Sequence, residues 1–129
     1  MLEALAAVAV FSIGVLGTLA LQAQAMKNVD AARYRAEAAS LVQTLIATMA
    51  TADAATLDAR YASSGEGYAA FARLTRRLPG ADRPGNAPIV QVEAGPSSAS
   101  RRVTITLRWQ LPADRASRRY DVSAVIGRD

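Results

Sequence analysis

The chain has 129 residues, 15 basic against 11 acidic for a formal net charge of +4, and neither cysteine nor histidine. That composition excludes a disulfide, a thiolate metal site, and the side chain that most often serves as general base or metal ligand. Lys27 is the only lysine, so the positive charge is carried almost wholly by arginine.

Residues 1–26 hold a single charge, Glu3, in an otherwise almost unbroken apolar run that lasts until Lys27. About 20 such residues, at ~1.5 Å of rise each, cover the ~30 Å hydrocarbon core of a bilayer, which predicts a membrane-spanning helix. Gly14 and Gly17 interrupt the run. Glycine is common in spanning helices, and small residues also let neighbouring helices approach closely. Their spacing is three rather than four, so this is not the usual dimerisation motif.

No proline or glycine ends this segment. Beyond Met26 the apolar positions Tyr34, Ala38, Leu41, Val42, Leu45 and Met49 recur at three- and four-residue spacing, the stripe of an amphipathic helix. One helix from near Leu2 to about Ala52 is expected, apolar all round in its first half and on one face in its second. Residues 1–25 then form a membrane segment. Residues 26–129, about 105 in number, form one head domain of modest core.

Residues 53–88 form a variable region. Asp53 to Tyr61 either extends the long helix or forms its frayed end, and Ser63-Ser64-Gly65 marks a break. Glu66 to Leu78 reads as a short second helix, with Tyr68, Phe71, Leu74 (or Thr75) and Leu78 on one side. Pro79-Gly80 stops it, and Pro84-Gly85-Asn86-Ala87-Pro88 is a loop.

The last third reads as strands. Ile89 to Glu93 is short, and a turn-rich Ala94-Gly95-Pro96-Ser97-Ser98 follows it. Val103, Ile105, Leu107 and Trp109 then alternate with polar residues, as Tyr120, Val122, Ala124 and Ile126 do in a final strand. Locally joined strands make an antiparallel meander whose apolar face needs a cover. The amphipathic half of the long helix supplies it, through Leu41, Leu45 and Met49. The expected fold class is α+β.

One further constellation bears on function. The doublets Arg76-Arg77, Arg101-Arg102 and Arg118-Arg119 could form a basic patch for DNA or anionic lipid. No aromatics are interleaved with them, so they are read as solvated surface or as ion pairs with Asp82, Glu93, Asp114 or Asp121. A nucleic-acid partner is not expected. No glycine-rich phosphate loop and no carboxylate pair at telling spacing is present, so neither an enzyme nor a cofactor is expected.

A hydrophobic N-terminal helix with a near-terminal glutamate, running into a small sheet domain, resembles the type IV pilins and the type II secretion pseudopilins. In that family a basic leader ends in glycine and is cut before phenylalanine. The mature chain continues with a hydroxyl residue, two apolar residues and glutamate. Met1-Leu2-Glu3 matches the last three of those positions. Ala4-Leu5, the run Val10-Phe11-Ser12-Ile13-Gly14-Val15-Leu16-Gly17, the Trp109 strand and Tyr120-Asp121-Val122-Ser123 resemble the PilV-type minor pilins. Pseudopilins of the GspI type share much of the same N-terminal pattern, so a secretion-system subunit is the alternative. A single-pass anchored periplasmic binding domain is a third reading.

The resemblance implies a pilin-like fold and a structural role in type IV pilus assembly, in initiation and near the tip. The chain would pass once through the inner membrane with its head in the periplasm before entering the pilus. Other minor pilins, the major pilin, the assembly platform and a tip adhesin are the implied partners. It also implies that Glu3 pairs with the N-terminal amine of a neighbouring subunit. An ionised carboxylate in hydrocarbon costs roughly 2.5–3.5 kcal/mol on insertion scales, which makes such pairing a reason to assemble. The plainer alternative sets Glu3 at the membrane interface, favoured by the helix N-terminus. Leu2, Leu5, Val8, Phe11, Gly14, Leu16 and Gly17 would pack between subunits. A leader and the first mature residues are expected upstream of Met1. Were Met1 the true start, Lys27, Arg33 and Arg35 would draw their flank to the cytoplasm, opposite to a pilin. The absence of the cysteine pair found in many major pilins favours a minor one.

Overall fold

A computed structural model of the chain describes residues 1–127. It comprises two compact units, Met1–Tyr34 and Arg35–Asp129. The helix α1 (Leu2–Ala50) enters both, without a proline anywhere along it. In the first unit no residue is buried.

The second unit is the head. Its share of α1 buries Ala38, Val42, Leu45 and Met49, four positions at spacings of four, three and four that make one stripe. α1 stops at Ala50, and Asp53 caps the turn that follows by accepting a hydrogen bond from the Ala55 N–H at 3.0 Å. After that turn come two short helices, α2 (Leu57–Tyr61) and α3 (Glu66–Thr75). α3 is shorter than expected from the sequence, yet Leu78 beyond its end is buried all the same. Of the two candidates for its inner face, Thr75 is buried and Leu74 is 41% exposed.

The sheet is a three-stranded antiparallel meander in the order β1 (Ile89–Ala94), β2 (Ser100–Trp109), β3 (Arg118–Gly127). The architecture is therefore the expected α+β one, a long N-terminal helix on a small antiparallel sheet. Register places Val103 opposite Val92 and Ala124, Ile105 opposite Val90 and Val122, and Leu107 opposite Tyr120. These share one face with Trp109 and Ile126, and Val103, Ile105, Leu107, Trp109 and Ile126 are all buried. Burying each such aliphatic side chain contributes about 1.5–3 kcal/mol, so this row is the main stabilising element of the head.

Three residues expected in the core are only half-buried. Tyr120 and Val122 share the inner face but lie on β3, an edge strand with a neighbour on one side only. Leu41 lines an open apolar groove of about 160 Å³ with Thr48, Tyr61, Phe71 and Leu74, while its neighbour Val42 takes the buried place. The 3.6-residue pitch turns Leu41 about 100° away from Val42, enough to move it from core to groove.

The loop between α3 and β1 is fixed at several points. The Gln110 N–H donates to the Pro79 carbonyl at 2.8 Å, and the Tyr68 hydroxyl donates to the Pro88 carbonyl at 2.9 Å. Asn86 is buried; its Nδ2 donates to the Gly80 carbonyl at 2.7 Å and its Oδ1 accepts from the Ser117 hydroxyl at 2.7 Å. Gly80 has φ +63°, and a Cβ placed there would lie 2.7 Å from the Gln110 carbonyl oxygen. Gly80→Ala should cost about 2 kcal/mol from left-handed strain and overpacking together. Urea unfolding followed by the fluorescence of Trp109, the only tryptophan, measures it; an unchanged midpoint would refute this account of the loop.

Candidate functional site

The feature that stands apart from ordinary folding is the first half of α1. Leu2, Leu5, Val8, Phe11 and Leu16 are each more than half exposed, so the segment carries a large apolar surface with no cover in the monomer. By length and composition this helix could span a membrane, and its most apolar window has no residue buried. Its polar side chains are satisfied locally. Ser12 Oγ donates to the Val8 carbonyl at 2.7 Å and Thr18 Oγ1 donates to the Val15 carbonyl at 2.8 Å. Such back-bonding removes the main cost of placing a hydroxyl in hydrocarbon.

Glu3 sits in the first turn, where the helix dipole favours a carboxylate. Among the described residues its side chain has no hydrogen-bond or ion-pair partner. Steps of four and three from Glu3 pass through Ala7, Val10, Gly14, Gly17 and Leu21, so acid and glycines lie on one row of the helix. Leu5, Val8 and Leu16 fall on the opposite side, with Leu2 and Phe11 on the flanks. The residues expected to pack between subunits thus divide into a shallow face bearing the acid and a bulky face bearing leucine. A Cβ added at Gly14 or Gly17 would meet nothing within 4 Å.

The arginine doublets behave differently from one another. Arg118 makes a forked pair with Asp114, at 2.6 and 3.1 Å, and Arg119 meets Asp121 at 2.6 Å, both among the partners expected. Arg101 instead pairs with Asp58 at 3.3 Å, tying α2 to the start of β2. Arg76, Arg77 and Arg102 are exposed and make no ion pair among the described residues. Asp121 also accepts from Thr106 Oγ1 at 2.6 Å on the outer sheet face. That bond, and then the Arg119 guanidinium, hold its carboxyl below the ordinary aspartate range, as the Arg118 hydrogen bond does for Asp114. No cluster of three or more potential metal ligands occurs among the described residues.

No protein-family model, curated protein or solved structure matches the chain.

Several contacts were invisible in the sequence. Asp58 lies 43 positions from Arg101, and Ser117 lies 31 from Asn86. Nothing in the local pattern of either pair signals the meeting. Trp109 Nε1 is buried with no protein partner among the described residues, so its ring acts here through volume alone.

A depressed native pKa means that the unfolded chain binds the proton first as pH falls. The stabilising effect of Asp121 is therefore whole at neutral pH and is lost as pH drops through the aspartate range toward the lowered native value. The urea midpoint should fall between about pH 5 and pH 2 and fall less steeply in Asp121→Asn. Parallel slopes for the two proteins would exclude the role given to Asp121. Gly14→Ala and Gly17→Ala should each raise helix stability by up to about 1 kcal/mol in micelles, because no contact opposes the gain in propensity. Thermal melts followed by circular dichroism report it.

Proposed function

We propose that the chain is a minor pilin of the PilV type, a non-catalytic subunit that helps to initiate a type IV pilus. The observation that carries this reading is Glu3, an acid in the first turn of an otherwise apolar helix with no covering partner. A spanning segment used only as an anchor gains nothing from such a group and bears its desolvation cost. A subunit that packs against its own kind gains a register mark, because the acid is relieved at one axial position only.

The helix surface supports the same reading. On the row that bears Glu3, Gly14 and Gly17 make a shallow stretch between Val10 and Leu21, where a neighbouring helix can approach closely. The leucine face opposite it suits lipid or a second neighbour. In this role the helix trades lipid for other helices on entering the filament, and the head, held in the periplasm beforehand, meets sibling subunits. Other minor pilins, the major pilin, the assembly platform and a tip adhesin are its partners in this scheme.

The test is fractionation of cells that carry the assembly apparatus. Wild-type chain should be found in both the membrane and the sheared filaments, with an N-methyl group on its mature N-terminus. Glu3→Ala should reach the membrane in normal amount and be depleted from filaments by at least about tenfold, the equivalent of ~1.4 kcal/mol. Equal recovery of Glu3→Ala in filaments would overturn the assembly role. Loss of secreted enzymes on deletion, with surface filaments intact, would assign the chain to a secretion system as a GspI-type pseudopilin.

A further inference from the structure

The head's charge is concentrated at one place. Segments 76–88 and 108–121 carry seven arginines and three aspartates, a net of +4, while the remaining eight basic and eight acidic residues of the chain cancel. The two segments meet in the fold. Gln110 bonds to Pro79 and Ser117 to Asn86, and Arg108 Nη1 donates to the Gly85 carbonyl at 3.3 Å. Asp114 and Asp121 are taken up by Arg118 and Arg119. Arg76, Arg77, Arg83 and Arg115 are left exposed, with Asp82 as the one remaining carboxylate of these segments.

A cleft of about 220 Å³ opens within this charged end. Tyr68 and Thr75 line it from α3, Arg76 from the residue after it, and Asp82, Arg83 and Pro88 from the loop. The loop side is pinned through Pro79, Asn86 and Pro88, so the lining is held in place before any ligand arrives. The Arg83 side chain folds back against the chain, 3.4 Å from where a Cβ on Gly80 would stand, an ordinary van der Waals distance.

The mixture of groups narrows the ligand. A bare phosphate would use only the two guanidinium groups and leave Asp82 and the apolar lining without a role. A nucleic acid would want a series of aromatic platforms for its bases, and Tyr68 is the one aromatic residue that lines this cleft. An acidic sugar fits all the groups at once. Its carboxylate suits the guanidinium forks, its hydroxyls can donate to Asp82, and its C–H face suits Tyr68. We propose that this cleft binds a uronic-acid residue of an anionic polysaccharide, with Arg77 and Arg115 drawing in the neighbouring acidic units. The site is independent of Glu3 and of the assembly role.

The test uses the full chain in detergent micelles and polygalacturonate as the probe, followed by titration calorimetry. Wild type should bind with an affinity that falls as salt rises. Arg76→Gln with Arg83→Gln should weaken binding by at least about tenfold, the usual order for lost charged hydrogen bonds. Arg102→Gln, at the far end of β2, should leave it unchanged.

Asp82→Ala decides between a built site and plain charge attraction, because alanine, unlike asparagine, leaves no oxygen to accept from a sugar hydroxyl. Removing a negative charge must strengthen binding of any polyanion held by charge alone, whereas loss of a hydroxyl acceptor weakens binding of the sugar. Weaker binding of polygalacturonate by Asp82→Ala is expected. Unchanged or tighter binding overturns the proposal, as does no binding by the wild type. Duplex DNA and phosphatidylglycerol vesicles serve as the other arms. Equal or tighter binding of either by the wild type would show a general polyanion surface and would also overturn it. Circular dichroism confirms that each variant is folded.

Discussion

The head domain depends on β2 being paired along both edges. As the central strand of three, it has β3 along its whole length and β1 from Arg101 to Thr106, so in its inner row Val103 and Ile105 have strand neighbours left and right, Leu107 and Trp109 have one on the β3 side, and the helical layer lies above. Val103, Ile105, Leu107 and Trp109 occupy that row and are all at most 2% exposed. Their counterparts on β3 shade into half-exposure because one flank faces solvent. The stability of the domain is thus graded from its middle outward, and the outer parts are the ones free to carry charge.

α1 carries two kinds of surface on one conformation. From Leu5 onward its first unit bonds its backbone N–H groups within the helix, and it returns its hydroxyls to its own carbonyls, the arrangement a bilayer-spanning helix would need. Its second segment needs only one apolar stripe, because the sheet takes that face and water the other. The change from one regime to the other requires no break in the helix, and none is present between Leu2 and Ala50.

Much of this was legible from residue order because period is a strong signal. The alternation at Val103 to Trp109 and the stripe from Ala38 to Met49 each named an element and a face. What escaped was set by neighbours in space rather than in sequence. Leu41 and Val42 both continue the stripe, and only the groove beside α2 and α3 decides which of them is core. Leu74 and Thr75 posed the same choice, and the less apolar residue is the buried one. Pro79-Gly80 read as a helix stop and Pro84 to Pro88 as an ordinary loop. That both are tethered to the segment after β2 depends on Gln110 and Ser117, whose own surroundings carry no sign of it. For Glu3, position was legible at once, and the helix then showed that Gly14 and Gly17 share its row.

Asn86 carries a consequence for the lifetime of the protein. Its side-chain amide is the donor in one bond and the acceptor in another, so the loop is tied by a group that water can slowly hydrolyse. Deamidation would put a carboxylate opposite the Gly80 carbonyl, turning attraction into repulsion, while leaving the Ser117 bond and the hydrophobic core in place. An aged molecule would keep its fold and lose the order of one loop.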